Sequence, residues 1–249
     1  MKKNFGILIT ARLKSKRLKK KLIKKISGQT VIEYLINNLK KTFDNKKIIL
    51  ITSKSNQDKI LTDLAKKNNI RFFCGEPQDV LKRIYDASKK FKFKNVLSCT
   101  ADNPLIDCEQ AKKMMSFHEL KKNDLTINKG LPLGLFCYCL RVNSITDILK
   151  KKADKDTETW LPYFTQSREK KVGIFKSNIK NKNYLIDKIR LTMDEKEDFK
   201  LIKKIVKLSN WHKPNVKDII TIFKKNPKLI DINKNIKQRK SALPKMKND

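Results

Sequence analysis

Two of the chain's eight arginines, Arg12 and Arg17, stand in one six-residue stretch, Arg12-Leu-Lys14-Ser15-Lys16-Arg17, and Lys21 follows closely. Guanidinium, ammonium and hydroxyl donors converging from one loop suit an oligophosphate, which needs several such donors at once. Lysine alone would say little, because Lys and Arg together number 60. The clustered arginines, with their planar forks, carry the reading. A second stretch, Thr100-Ala-Asp102-Asn-Pro104, offers a carboxylate suited to magnesium, which takes one or two carboxylates alongside substrate phosphate. The same Asp also fits an Asx-turn before proline. In Arg190-Leu-Thr-Met-Asp194-Glu-Lys-Glu197, Asp194 either opens a helix in a capping box with Glu197 or ligates metal, and one carboxylate is able to do both.

These residues need a frame. Phe5–Ile9, 47–51, 70–74 and 95–100 are short continuous apolar runs, the pattern of strands buried on both faces. Helical patterns lie between them. One opens with a capping box at Thr30 and Glu33, Ser55 followed by Asp58 opens a second, and a third has Pro77 in its first turn. Four strand–helix alternations imply an α/β fold with a doubly wound, mostly parallel sheet, whose ligands bind beyond the carboxyl ends of the strands. Arg12 and Asp102 follow the first and fourth strands, so both fall at that edge. The second half is less regular. We expect helices at 107–121, 143–150 and 156–168, strands near 124–127, 135–142, 171–176 and 184–191, and long helices from Asp194 and from Val216. A main α/β body over 1–236 would carry a smaller lobe at about 125–185, rejoin the main sheet at Ile189–Thr192, and end in a mobile tail over 237–249.

Composition excludes several classes. The net charge of +35 invites a nucleic-acid surface, but it is mostly lysine spread along the chain beside abundant Asn and Ile, the signature of compositional bias rather than of base readout. Nucleic acid is therefore not the expected partner. Five cysteines without a CxxC pair fit a reduced, cytoplasmic protein, and no apolar window is long enough to span a membrane. His118 and His212 share no motif and read as surface residues, so a histidine triad or a histidine-rich zinc site is excluded. Neither GxGxxG nor GxxxxGK[ST] occurs. Trp160 and Trp211 read as packing residues.

Taken in order, these stretches resemble the cytidylyltransferase family of CMP-sialic acid and CMP-KDO synthetases, and most closely its spore-coat polysaccharide biosynthesis branch. Ala11, Arg12, Ser15, Arg17, Leu18 and Lys21 match the opening signature A-R-x-x-S-x-R-L-P-x-K. Gly75-Glu-Pro-Gln-Asp79-Val-Leu-Lys-Arg83 is similar to G-x-x-x-D-V-L-x-R. Thr100-Ala-Asp102-Asn-Pro-Leu-Ile-Asp107 is similar to T-G-D-x-P-L-I-D, and Arg190-Leu-Thr-Met-Asp194-Glu-Lys-Glu-Asp-Phe199 to R-L-T-V-D-T-P-E-D-F. The resemblance implies a Rossmann-like nucleotidyltransferase fold with a small sugar-binding and dimerising lobe. It implies CTP and a sugar acid as substrates, magnesium as cofactor, and a homodimer. Ala11, Arg12, Ser15, Arg17, Lys21 and Thr100 would hold the nucleotide, and Asp102 and Asp194 the metal. Arg12, Arg17, Lys21, Asp102 and Asp194 would make up the catalytic set.

Departures cluster. Lys19-Lys20 stands where the signature has P-G. Gly134-Leu-Phe136-Cys-Tyr138 replaces an acidic G-L-D-V-E stretch, and Thr157-Glu158-Thr-Trp160-Leu-Pro162-Tyr163 replaces R-E-H-V-T-P-Y. The nucleotide side is retained and the acceptor side altered. Another nucleotidyl- or glycosyltransferase using a different nucleotide, or a decayed basic RNA-binding scaffold, stands as the alternative.

Overall fold

The first apolar run becomes β1 (Phe5–Thr10), buried along nearly its whole length. After it come the two-residue strands β2 (Lys25–Ile26) and β3 (Gln29–Thr30), then α1 (Val31–Lys40). Thr30 and Glu33 form the expected capping box: Thr30 Oγ1 accepts from the Glu33 amide and the Glu33 carboxylate accepts from the Thr30 amide. Next are β4 (Ile48–Ser53), α2 (Lys59–Lys67), β5 (Arg71–Gly75), α3 (Val80–Lys90), β6 (Asn95–Thr100) and α4 (Cys108–Lys121). The second half supplies β7 (Leu125–Lys129), β8 (Tyr138–Arg141), α5 (Val142–Lys151), α6 (Pro162–Thr165), β9 (Val172–Lys176), α7 (Lys196–Leu208) and α8 (Val216–Lys225). This computed structural model describes residues 4–15, 17–177, 179, 186–209, 215–238 and 243–246.

Seven strands form one sheet in the order β5-β4-β1-β6-β8-β7-β9. β1 pairs in parallel with both β4 and β6, β6 and β7 each run antiparallel to β8, and β9 is parallel to β7. Only β8 therefore opposes the rest, and the sheet is mostly parallel, as the apolar runs implied. The chain winds from β1 outward through β4 to β5, then returns to β6 on the other side of β1. Its switch point lies between the carboxyl ends of β1 and β6, where the register pairs Thr10 with Thr100. Loops leaving two neighbouring strands in opposite directions open a crevice there.

Both faces of the sheet are covered. Leu35, Ile36 and Leu39 of α1, Leu61 of α2 and Met114 of α4 pack on one side with Ile7, Ile9 and Leu50. Leu81 and Ile84 of α3, Ile145 of α5 and Phe164 of α6 pack on the other with Leu8, Ile49 and Ile51. A third cluster joins Leu105, Leu135 and Leu191 to Leu201 and Ile205 of α7 and to Ile219 of α8.

Some expectations change. β7, β8 and β9, which fall in the stretch expected as a small lobe, lie in the main sheet, because their inward residues such as Leu125 and Leu140 share the core of Leu8. The strand expected at 184–191 reduces to a bridge between Leu133 and Arg190, with a 3-10 turn at Ile186–Lys188; 180–185 lie outside the described residues. The helix expected at 156–168 is only α6. Pro77 precedes α3 rather than entering it, and Asp79 is the cap. His118 is buried, not superficial: its Nδ1 lies 2.8 Å from Thr126 Oγ1, because α4 turns that face onto β7. His212 and Trp211 lie outside the described residues. In the carboxyl-terminal stretch, the Ala153 amide donates to the Lys245 carbonyl at 2.9 Å and the Lys245 amide to Asp154 at 3.1 Å.

Candidate active site

At the β1–β6 crevice a cavity of about 500 Å³ takes its walls from both loops. Ala11, Arg12, Ser15, Arg17, Lys21, Thr100, Asp102 and Asp194 all line it, so every residue singled out from sequence is brought to one place.

The first loop is held from beneath. The Leu13 amide donates to Asp58 Oδ1 at 2.8 Å, and Ser53 at the end of β4 donates its hydroxyl to the other oxygen. Asp58 is wholly buried, and its carboxylate serves this loop instead of capping α2. Ser15 Oγ accepts from the Leu18 amide at 3.3 Å, a local turn that leads into the short helical turn of Lys21–Ile23. Lys20 caps that turn at φ 51°, a left-handed conformation that glycine adopts without penalty. The glycine of the resembling signature falls at this position.

The third stretch is placed by close backbone approach. Gly134 has φ +99°, and a β-carbon there would come within 2.3 Å of the Leu191 carbonyl carbon. Its absence lets the Leu191 amide reach the Leu133 carbonyl at 2.7 Å, while the Met193 amide reaches the Asp102 carbonyl at 2.9 Å. The two carboxylate-bearing loops are thus joined backbone to backbone. The cap of α7 is Glu195 rather than Asp194, and Asp198, not Glu197, accepts from the amides of Asp194 and Glu195 at 2.9 and 3.0 Å. Moving the capping register by one residue frees the Asp194 carboxylate for the cavity.

There it meets a dense set of charges. Lys21 Nζ lies 2.7 Å from Asp102 Oδ2 and 3.0 Å from Asp194 Oδ1. Arg17 Nη2 approaches the same Asp194 oxygen at 3.1 Å and Arg17 Nη1 reaches Glu195 at 3.2 Å. From behind, Arg190 holds the other Asp194 oxygen at 3.0 Å and Asp198 at 3.0 Å. Burial alone would raise the Asp194 pKa, but Lys21, Arg17 and Arg190 outweigh it and hold the carboxyl below its ordinary range. Burial likewise acts to lower the Lys21 pKa, and the charges of Asp102 and Asp194 reverse that and raise it. The Asp194 carboxylate and the Lys21 ammonium are therefore both ionised near neutrality.

Sequence reasoning missed Asp58 and passed over Arg83, Glu158 and Trp160, which also line the cavity. Arg83 and Glu158 had been noted only within motifs, and Trp160 as packing. Asp79 binds the segment bearing Glu158 and Trp160 to α3. It accepts from Thr157 Oγ1 at 2.7 Å and pairs with Lys152 at 2.6 Å.

Two hard carboxylates converging on a single positive point suit a divalent cation completed by substrate phosphate. Asp102 and Asp194 therefore fit a divalent cation, with Lys21 Nζ marking the position of positive charge between them. Among the described residues no group of three or more acidic, His or Cys side chains is placed to hold a metal ion, so a cation at Asp102 and Asp194 would have two carboxylates from the protein, and no helix is long and apolar enough to cross a membrane.

Comparison with known proteins agrees with this geometry. The chain is 30% identical over 235 residues to an uncharacterized protein of Methanocaldococcus jannaschii, covering 93% of this chain and 95% of that one. It is 25% identical over 228 residues to the spore coat polysaccharide biosynthesis protein SpsF of Bacillus subtilis, covering 88% and 94%. The structure of a cytidylyltransferase from Leptospira borgpetersenii superposes with TM-score 0.82 at 23% identity, over 95% of this chain and 99% of that one. A CMP:2-keto-3-deoxy-manno-octonic acid synthetase complexed with CTP shares the fold at TM-score 0.62 and 9% identity, over 82% and 99%. The cytidylyltransferase family model matches residues 6–229, from the first strand through the last helices. This chain therefore belongs to the cytidylyltransferase family and is a nucleotidyltransferase.

Proposed function

We propose that the protein transfers CMP from CTP to a hydroxyl of a sugar acid of the sialic, legionaminic, pseudaminic or KDO type, with magnesium and with release of pyrophosphate, for surface polysaccharide synthesis. The observation that carries this reading is the convergence of Asp102 and Asp194 with Arg12, Arg17 and Lys21 in one cavity at the switch point. The CTP bound by the CMP:2-keto-3-deoxy-manno-octonic acid synthetase supports the nucleotide and the acceptor class, and the spore coat polysaccharide biosynthesis role of SpsF supports the pathway type.

In this reading the acceptor oxygen bonds to the α-phosphorus as the bond to the bridging oxygen of pyrophosphate breaks. Asp102 and Asp194 would hold magnesium, which when bound would supply Lewis acidity to the phosphoryl oxygens and lower the pKa of the acceptor hydroxyl, whose proton would pass to water. Arg12, Arg17 and Lys21 face the charge that gathers on the departing pyrophosphate. Thr100 and the backbone after Ala11 border the nucleotide. Arg190 holds one Asp194 oxygen from behind and Asp198 accepts from its amide, so the other oxygen, paired with Lys21 and Arg17, faces the cavity.

Five free cysteines support a reducing, cytoplasmic setting. The edge strand β9, with Ile174 exposed, supports pairing into a homodimer at that edge. A pyrophosphate-release assay with CTP, magnesium and a panel of sugar acids tests the reading. Magnesium-dependent release with at least one acid is expected. Release that persists in Asp102→Asn, or no release with any acid by a protein that binds CTP, would contradict the proposed chemistry.

A further inference from the structure

Arg17 and Lys21 are already paired with carboxylates in the free protein. Two other guanidiniums at the cavity are not. Arg12 and Arg83 both line it, the Nε of each is buried without a hydrogen-bond partner, and among the described residues neither forms an ion pair with a carboxylate. Arg83 is among the largest fully buried side chains of the protein, at 1% exposure.

Its placement is built. Nη1 donates to the carbonyls of Glu76 and Pro77, the latter at 2.9 Å, which fixes the fork. Gly75 makes room for the stem: a β-carbon there would lie 2.9 Å from Arg83 Cγ and 2.8 Å from Phe73 Cε1. The nearby carboxylates of Asp58 and Asp79 are engaged elsewhere, with Leu13 and Ser53, and with Thr157 and Lys152. Burial and then the neighbouring Arg12 push the Arg83 guanidinium down to about 10, and Asp58, Asp79 and Glu158 offset only part of this. Two cations that repel each other at a buried wall, with unfilled donor capacity, are costly unless a ligand supplies the counter-charge.

We propose that Arg83 and Arg12 together form an oxyanion subsite of the cavity, which takes either a phosphate oxygen of the nucleotide or the carboxylate of the acceptor. The proposal rests on the nucleotidyltransferase reading for the two candidate donors of that oxyanion. The subsite itself is a statement about anion binding. Two oxygens of one phosphate or carboxylate would match two guanidinium groups that line the same cavity.

Inorganic pyrophosphate, magnesium–CTP and 2-keto-3-deoxy-manno-octonic acid are titrated into wild type, Arg83→Gln and Gly75→Ala, with the melting temperature of each free protein recorded. Arg83→Gln is expected to weaken at least one anion about tenfold without a matching loss of free-protein stability. Gly75→Ala, which displaces the stem, is expected to weaken the same anion. Loss with pyrophosphate and CTP identifies the phosphate as the source, and loss with the acid alone identifies the carboxylate. Should wild type bind pyrophosphate or the acid through Arg83 without recognising CTP, the nucleotide reading fails and the subsite stands. Unchanged affinities in both variants, absence of any anion binding by wild type, or a fall in free-protein stability with affinities intact would overturn the subsite.

Discussion

Lys21 Nζ sits 3.0 Å from Asp194 Oδ1 while also holding Asp102 at 2.7 Å, so one ammonium joins two carboxylates from distant parts of the chain. In the ligand-free protein it neutralises a pair that would otherwise repel. Replacing it leaves that pair with only Arg17 and Arg190, both on the Asp194 side. Lys21→Met is expected to lower stability by about 2 kcal/mol, below the full cost of breaking a buried pair because Asp102 keeps some contact with solvent. Magnesium should restore more stability to this variant than to wild type. Thermal unfolding with and without magnesium checks both.

Acid should act through the same pair. The folded Asp194 carboxyl titrates below its ordinary value, so the stabilisation it gives is complete above the unfolded pKa of about 3.9. It is lost as the pH falls further through the folded value. The acid-unfolding curve of Lys21→Met below about pH 4 should therefore be shallower than that of wild type. Parallel curves would remove Lys21 as the main cause.

His118 adds a second, separate pH dependence. Burial, and then Arg141, lowers its pKa to about 4. The unfolded imidazole takes a proton near pH 6.5 and the folded one does not, so stability falls as the pH drops between those values. The full effect is on the order of 3 kcal/mol. A variant without the titrating ring, His118→Asn, should lose less between pH 6.5 and 4, and urea unfolding across that range reports it.

Removing the Asp58 carboxylate tests how the first loop is held. Asp58→Ala leaves the Leu13 amide and the Ser53 hydroxyl without their partner and should cost about 1–3 kcal/mol. Nucleotide affinity should fall with it, although Asp58 does not line the cavity. Urea unfolding and nucleotide titration on the same sample separate the two effects.

Lys20 gives a test in the opposite direction. A lysine held at φ 51° carries about 1 kcal/mol of strain that glycine would not. Lys20→Gly should therefore stabilise the protein by about 0.5–1 kcal/mol, partly offset by the entropy of the freer unfolded chain. A melting temperature that falls would mean the side chain makes contacts worth more than the strain.

How much was legible follows from where each signal lives. β1, β4 and β6 are buried along nearly their whole length, so continuous apolar runs announce them; β5, at the sheet edge and half-exposed, still carries such a run, and the loops after β1 and β6 follow from that order. β8 runs against its neighbours and the outer order β8-β7-β9 is set by tertiary pairing, which leaves no mark in a single run of residues. The capping pair Glu195 and Asp198 is displaced by one position from the expected Asp194 and Glu197, within the ambiguity of any acidic helix start, and only the backbone link to Asp102 decides it. Asp58 bonds an amide 45 residues away, and Arg83 owes its fixed fork to carbonyls and to Gly75. His118 lies on a helix whose weakly patterned sequence hides which side meets β7.

The central claim is that this cavity binds a cytidine triphosphate with a divalent metal on Asp102 and Asp194. The most direct test is thermal unfolding of wild type and Asp102→Asn with CTP, UTP, ATP and GTP, each with and without magnesium. Ligand at a hundredfold excess over its dissociation constant raises stability by about 2.7 kcal/mol. The account predicts a magnesium-dependent rise selective for CTP in wild type, lost in the variant, which keeps its own fold. An equal response to all four nucleotides, or a CTP response unaffected by magnesium or by Asp102→Asn, would contradict it.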